Sequence, residues 1–447
     1  MTERVRGIGG VGVTLAVLAG AAGLVLASTV GPVAMGAAVL AAVVLFLVIT
    51  FGAVRVGTVT IMGALATAPM YKGLAPGTDA AVTPTDALFV IGFALLLPAL
   101  LKGRVNLPIS YVAGIALVVA AGTIATVLSD EQLFSGLALI LWLMVLIGLP
   151  VAIGLWGPSP RMVDVLAWSY VAGHMFSQVA GIGLGRVNEA GRHLGLTNHP
   201  NYFGQAGVMA FALLLYLWSR STGRLHRTAV LGAGAVAGMS VVLSGSRGAL
   251  LVVAALVLMI PVVERSITSG LIWLLAGALL IISIPLIFSI AGDTPALDRL
   301  SGNTSSAGSD QIREAGLAAG WDRFWASPFF GDGLVDLFNI HNNYLEIAVG
   351  VGIFGLVGYL AVLYTFARPL FGHHELRRLC YPVWGYIGWG TFVPGIYDRS
   401  IWAPVALSAV LVFGARQQDR ARDAGPRNRQ SLPLASPTAT DAAERTP

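Results

Sequence analysis

Two stretches of this chain concentrate side chains able to hold an anion or move a proton. The first is the segment 185–201, GRVNEAGRHLGLTNHPN, followed some forty residues later by SGSRG at 244–248. The second is the segment 292–340, which includes IREAGLAAGWDRFWASPFFGDGLVDLFN and runs into His341 of HNNYLEIAVGVGIFG. Arg192 and Arg247 stay protonated and present planar forks of donors that match phosphate oxygens. At the boundary of a low-dielectric region such a pair suits an anion, and a diphosphate head group on a lipid is the natural ligand at that depth. Set against this, a single arginine there often only snorkels to lipid phosphates. The small residues around Arg247 let a ligand or another helix approach the backbone closely. A histidine titrates at about 6.5 when unperturbed, so His341 suits a general base or, as imidazolium, a phosphate ligand. At about 100° per helical residue, Gly352 and Gly355 share the face of His341 and are expected to hold a neighbouring helix beneath it. Glu346 points elsewhere and is not coupled to it.

The elements that must position these residues follow from composition. Of 447 residues, 56% are hydrophobic and 11% charged, and mean hydropathy is +0.79. A soluble domain carries roughly 25% charged residues, so a water-exposed surface cannot be covered here. A soluble enzyme, a disordered chain and a disulfide scaffold are excluded, the last also by the single cysteine, Cys380. Long continuously apolar runs imply spanning helices and not barrel strands. The expected fold is an all-α integral membrane protein over 1–414. Its candidate spans are 11–28, 33–53, 56–71, 86–101, 108–128, 133–156, 162–184, 202–219, 227–244, 247–264, 270–291, 342–366, 379–395 and 400–414. The third is weak, so 12 to 14 helices are expected, the first of them uncleaved. Residues 415–447 read as a disordered tail.

Arginine-rich connections alternate along this list, which puts both termini and the loop 220–227 in the cytoplasm and leaves 185–201 and 292–340 outside. The same rule accounts for the net charge of +5 without nucleic acid. Trp321, Asp322, Arg323, Phe324 and Trp325 read as an amphipathic interfacial segment rather than a sugar platform. His174 and Gln178, four apart inside a span, read as an interhelical hydrogen bond.

The segment His341-Asn342, nine residues, then Gly352-Ile353-Phe354-Gly355 resembles the H-N-x9-G-x-x-G pattern of the O-antigen ligase and polymerase superfamily. SGSRG at 244–248 resembles that family's motif as well, as do Gly191-Arg192-x-x-Gly195 and His199-Pro200-Asn201. The resemblance covers roughly 160–366. It implies a polytopic glycosyltransferase of the GT-C type, with a long external loop before the last helices. Such a protein moves or polymerises a glycan from an undecaprenyl-diphosphate carrier onto a saccharide or lipid acceptor at the outer face of the cytoplasmic membrane. It uses neither nucleotide sugar nor metal, and the chain has no Asp-x-Asp or HExxH. By this resemblance His341 is catalytic, and Arg192, Arg247, Arg313 and Asn342 bind substrate. Two alternatives stay open: a transporter of a small anion or sugar, and a protein O-oligosaccharyltransferase.

Overall fold

The computed structural model describes residues 32–74, 83–268, 270–272, 275, 307–335, 337 and 340–414. The expected span 11–28, nearly all of 270–291, loop residues 292–306 and the tail 415–447 lie outside them. The described residues are helical, and their one β-bridge pairs Val187 with His193. The helices are α1 (Pro32–Phe51), α2 (Ala53–Thr67), α3 (Pro84–Leu100), α4 (Ile109–Leu128), α5 (Gln132–Leu143), α6 (Leu149–Trp156), α7 (Pro160–Gly183) and α8 (Pro200–Arg220). There follow α9 (Arg224–Leu243), α10 (Arg247–Glu264), α11 (Ala307–Ala326), α12 (Asn343–Ala367), α13 (Tyr381–Trp389), α14 (Arg399–Leu407) and α15 (Ala409–Val412).

Among the described residues seven helices are long and apolar enough to cross a bilayer: α2, α4, α5 with α6, α8, α9, α10 and α12. This is an all-α architecture of the membrane kind. Large apolar side chains such as Leu258, Val179, Leu133 and Val90 face outward, as they do where the surrounding medium is hydrocarbon rather than water. The most buried window belongs to α8, 72% against 28% for α9 and α10, so α8 is the centre of the bundle.

Of the 12 to 14 spans expected, 86–101, 162–184 and 400–414 are helical but fall short of that length or hydropathy, 342–366 is broken at Gly352, and one fails outright. The segment 379–395 is not one spanning helix. Its helix α13 ends at Trp389 after nine residues, about 13 Å at ~1.5 Å per residue against a ~30 Å hydrocarbon core. The segment 292–340 is not all loop either, because 307–326 is the helix α11. On α11 Trp321 and Trp325 are exposed while Phe324 is buried. His174 makes the expected interhelical bond, 2.8 Å from Ser240 Oγ on α9.

Connections with the same expected sidedness gather at the same end of the bundle. At one end Lys72 pairs with Asp398, Ser135 Oγ accepts from Leu334 N, and Asn343 N donates to Gly390 O. At the other, Glu264 pairs with Arg377 and Arg378, Arg265 donates to Phe371 O, and Asn106 N donates to Phe413 O.

Helix α12 is broken at Gly352, where φ is 69° and ψ −178°. The peptide groups freed by the break are taken by the segment that follows α11. Ile353 N donates to Pro328 O, Asp332 N to Val349 O, and Gly333 N to Gly350 O. A Cβ on Gly352 would lie 2.1 Å from Phe329 O. Gly352 therefore admits a loop backbone, not the neighbouring helix expected, whereas Gly355 does face helix α4, a Cβ there lying 3.4 Å from Ala121 Cβ. Helix α4 meets α12 lower down, where a Cβ on Gly114 would lie 2.6 Å from Gly358 O, a small-residue contact typical of membrane helices.

Candidate functional site

At the end of the bundle that holds His341, Arg247, Arg313 and His341 line one cavity of about 470 Å³. Asn201, Ser246, Leu317 and Thr391–Val393 complete much of its wall.

Arg247 is the first residue of α10, and the turn before it fixes its place. Gly245 adopts φ 57°, and Ser246 caps α10 by accepting from Ala249 N. The small residues of this turn let helix α8 come close, since a Cβ on Gly204 would lie 2.6 Å from Ser244 Oγ. Of the two close approaches those residues allowed, by a ligand or a helix, the helix takes this face.

Arg313 reaches the cavity from α11. Three contacts hold that helix. Gly320 packs against Ile340 and Leu345, Arg323 pairs with Asp332 at 2.9 Å, and Asp310 pairs with Arg247 at 2.5 Å. Asp310 also lies 3.4 Å from Arg313, so one carboxylate bridges the two arginines of the cavity. Nothing in the sequence marked Asp310, because it is one acidic residue in a loop-like stretch and its partner is 63 positions away.

His341 does not open α12. It stands two residues before the helix, with φ 57°, a left-handed conformation uncommon for a residue with a side chain. Its helical-face relation to Gly352 and Gly355 therefore fails on two counts, since α12 is also broken at Gly352. What holds His341 is its neighbours. Asn342 caps α12, its Oδ1 accepting from Tyr344 N and Leu345 N at 3.0 Å. Its Nδ2 donates to Thr391 O at 3.4 Å. Asn342 thus acts as a helix cap and tie, and it is not among the residues lining the cavity. Among the described residues the His341 imidazole has no hydrogen-bond partner. Burial lowers its pKa below the ordinary histidine value, and the Arg313 charge pushes the same way. Burial also lowers Arg313, against the pull of Asp310.

Arg192 is set back from the cavity and only 4% exposed. Its Nε donates to Ser244 O at 2.6 Å and its Nη2 to Asn201 Oδ1 at 2.7 Å. Next to it His193 N donates to Leu243 O at 3.1 Å. Leu243 and Ser244 end α9, where helix carbonyls lack partners and a cation is favoured. Arg192 closes that helix end, and its guanidinium is engaged by protein.

Neither a known protein family nor a curated protein matches this chain.

Proposed function

We propose that this protein is a metal-independent membrane glycosyltransferase of the O-antigen ligase and polymerase type, acting on a glycan carried by a lipid diphosphate. The observation that carries the reading is the convergence of Arg247, Arg313 and His341 on one cavity from three separate elements. In this reading the arginines hold the diphosphate. The acceptor hydroxyl attacks the anomeric carbon, the carbon–oxygen bond to the diphosphate breaks, and its electrons pass to the leaving lipid diphosphate. Arg247 and Arg313 stabilise the charge that grows there. His341 takes the hydroxyl proton, for which its lowered pKa keeps it neutral and ready near pH 7. A single displacement inverts the anomeric centre.

A broken helix is also how transporters build midplane sites. Here the groups freed at Gly352 are bonded by loop backbone, which favours the transferase. The test is genetic and chemical. Replacing the gene by His341→Ala in the source cell should stop the surface glycan and let the glycan-carrying lipid diphosphate accumulate. An unchanged surface glycan and lipid pool would reject the assignment.

A further inference from the structure

Arg192 and Asn201 form a paired device that the arginine–histidine reading does not use. A guanidinium carries donors only, so the Asn201 atom 2.7 Å from Arg192 Nη2 must be the amide oxygen. That contact fixes which way the amide is turned. Arg192 is itself held by Ser244 O and by its backbone N, which donates to Asn188 Oδ1 at 2.9 Å. The NH2 of Asn201 is then the end left over. Asn201 lines the cavity beside Ser246, Arg247, Arg313 and His341, and among the described residues nothing accepts a hydrogen bond from its Nδ2.

We infer that Asn201 is a ligand-binding residue, the neutral donor that completes the anion site, and that Arg192 is a positioning residue that sets its orientation. The ligand atoms it takes are phosphate oxygens, so the inference rests on reading the cavity as a diphosphate site. The chemistry of the three donors divides the work. Arg247 and Arg313 supply charge, and both share Asp310. Asn201 adds a direction without charge, from a side chain fixed in advance, and a donor that need not reorganise is worth most.

Asn201→Asp tests this directly, because it keeps the oxygen that Arg192 uses and removes the donor. The bond to Arg192 becomes charge-assisted, so the fold is held as well as before, while the cavity gains a repelling oxygen. In full-length protein reconstituted in nanodiscs, the melting temperature should stay level or rise. Binding of undecaprenyl diphosphate should weaken at least tenfold. Asn201→Ala should weaken binding as well and also lower the melting temperature, since Arg192 loses its acceptor. Wild-type affinity in Asn201→Asp overturns the inference, as does a loss of stability in Asn201→Ala with affinity intact, which marks a purely structural residue. Arg247→Ala separates the two levels. If it abolishes binding while Asn201→Asp binds normally, only the role of Asn201 fails. If it too binds normally, the diphosphate reading fails with it.

Discussion

Asp310 occupies the position between two arginines that the proposed function gives to a phosphate, and Asp310→Asn should therefore tighten diphosphate binding. Its two carboxylate oxygens lie 2.5 and 2.6 Å from Arg247 Nη2, and one lies 3.4 Å from Arg313 Nη1. Unit charges about 4 Å apart at an effective dielectric of 20 attract by roughly 4 kcal/mol. The side chains are 36% exposed for Arg247, 44% for Asp310 and 30% for Arg313, so water competes strongly. Measured pairs of this kind are worth about 0.2–1 kcal/mol each. Two such pairs, together below about 2 kcal/mol, must be given up when a diphosphate enters. At roughly 1.4 kcal/mol per tenfold, Asp310→Asn should lower the Kd about 2- to 30-fold. The assay is displacement of a fluorescent isoprenoid diphosphate from full-length protein in nanodiscs at low ionic strength. The gain should shrink in 1 M salt, where the screening length falls to ~3 Å. Weaker binding in Asp310→Asn would refute the competition argument and make Asp310 a strut for α11. An unchanged Kd at low salt would mean that the arginines do not hold the diphosphate.

If His341 is the base, it must be neutral to act, and its pKa is held below the ordinary value by burial and by Arg313. The kcat/KM profile should then rise with pH through a midpoint below about 6.5 and be flat from pH 7 upward. Arg313→Ala should move that midpoint up, and a profile that falls over the same range would make His341 an imidazolium phosphate ligand. His341→Ala should lower turnover by roughly 10²–10⁴-fold with donor binding little changed, as measured in single-turnover reactions. Gly352→Ala should cost upwards of about 1–3 kcal/mol in backbone strain, because φ is 69° and the new Cβ would meet Phe329 O at 2.1 Å. A melting temperature equal to wild type would show that the break in α12 is not required. For sidedness, single cysteines at exposed Glu189 and Thr222, in a Cys380→Ala background, should label oppositely with an impermeant thiol reagent in intact cells. Equal labelling would defeat the alternation of the loops.

The membrane architecture was legible because it depends on quantities the chain carries locally. A span needs a long apolar run, a bilayer supplies no partner for an open backbone, and so hydropathy alone predicts helices such as α4, α8, α9 and α10. The expectation failed where length and hydropathy do not decide. Helix α13 stops at Trp389, and α11 forms in a stretch too polar to read as a span. For the site, residue type was informative but engagement was not. Arg192 and Arg247 look alike in sequence, each an arginine among small residues. One is consumed by Ser244 O and Asn201, and the other, paired with Asp310, faces a cavity with Arg313 and His341. Asn342 likewise reads as a ligand beside a histidine and folds as a helix cap. Thr391–Val393 carried no signal, and neither did Asp310, whose bond to Arg247 joins residues 63 positions apart. The sequence by itself determined which groups are able to donate, accept or stay charged, since that is fixed by covalent chemistry. Only the tertiary structure decided which of those groups are already satisfied by the protein, because a hydrogen bond or ion pair is settled by distance and direction in space.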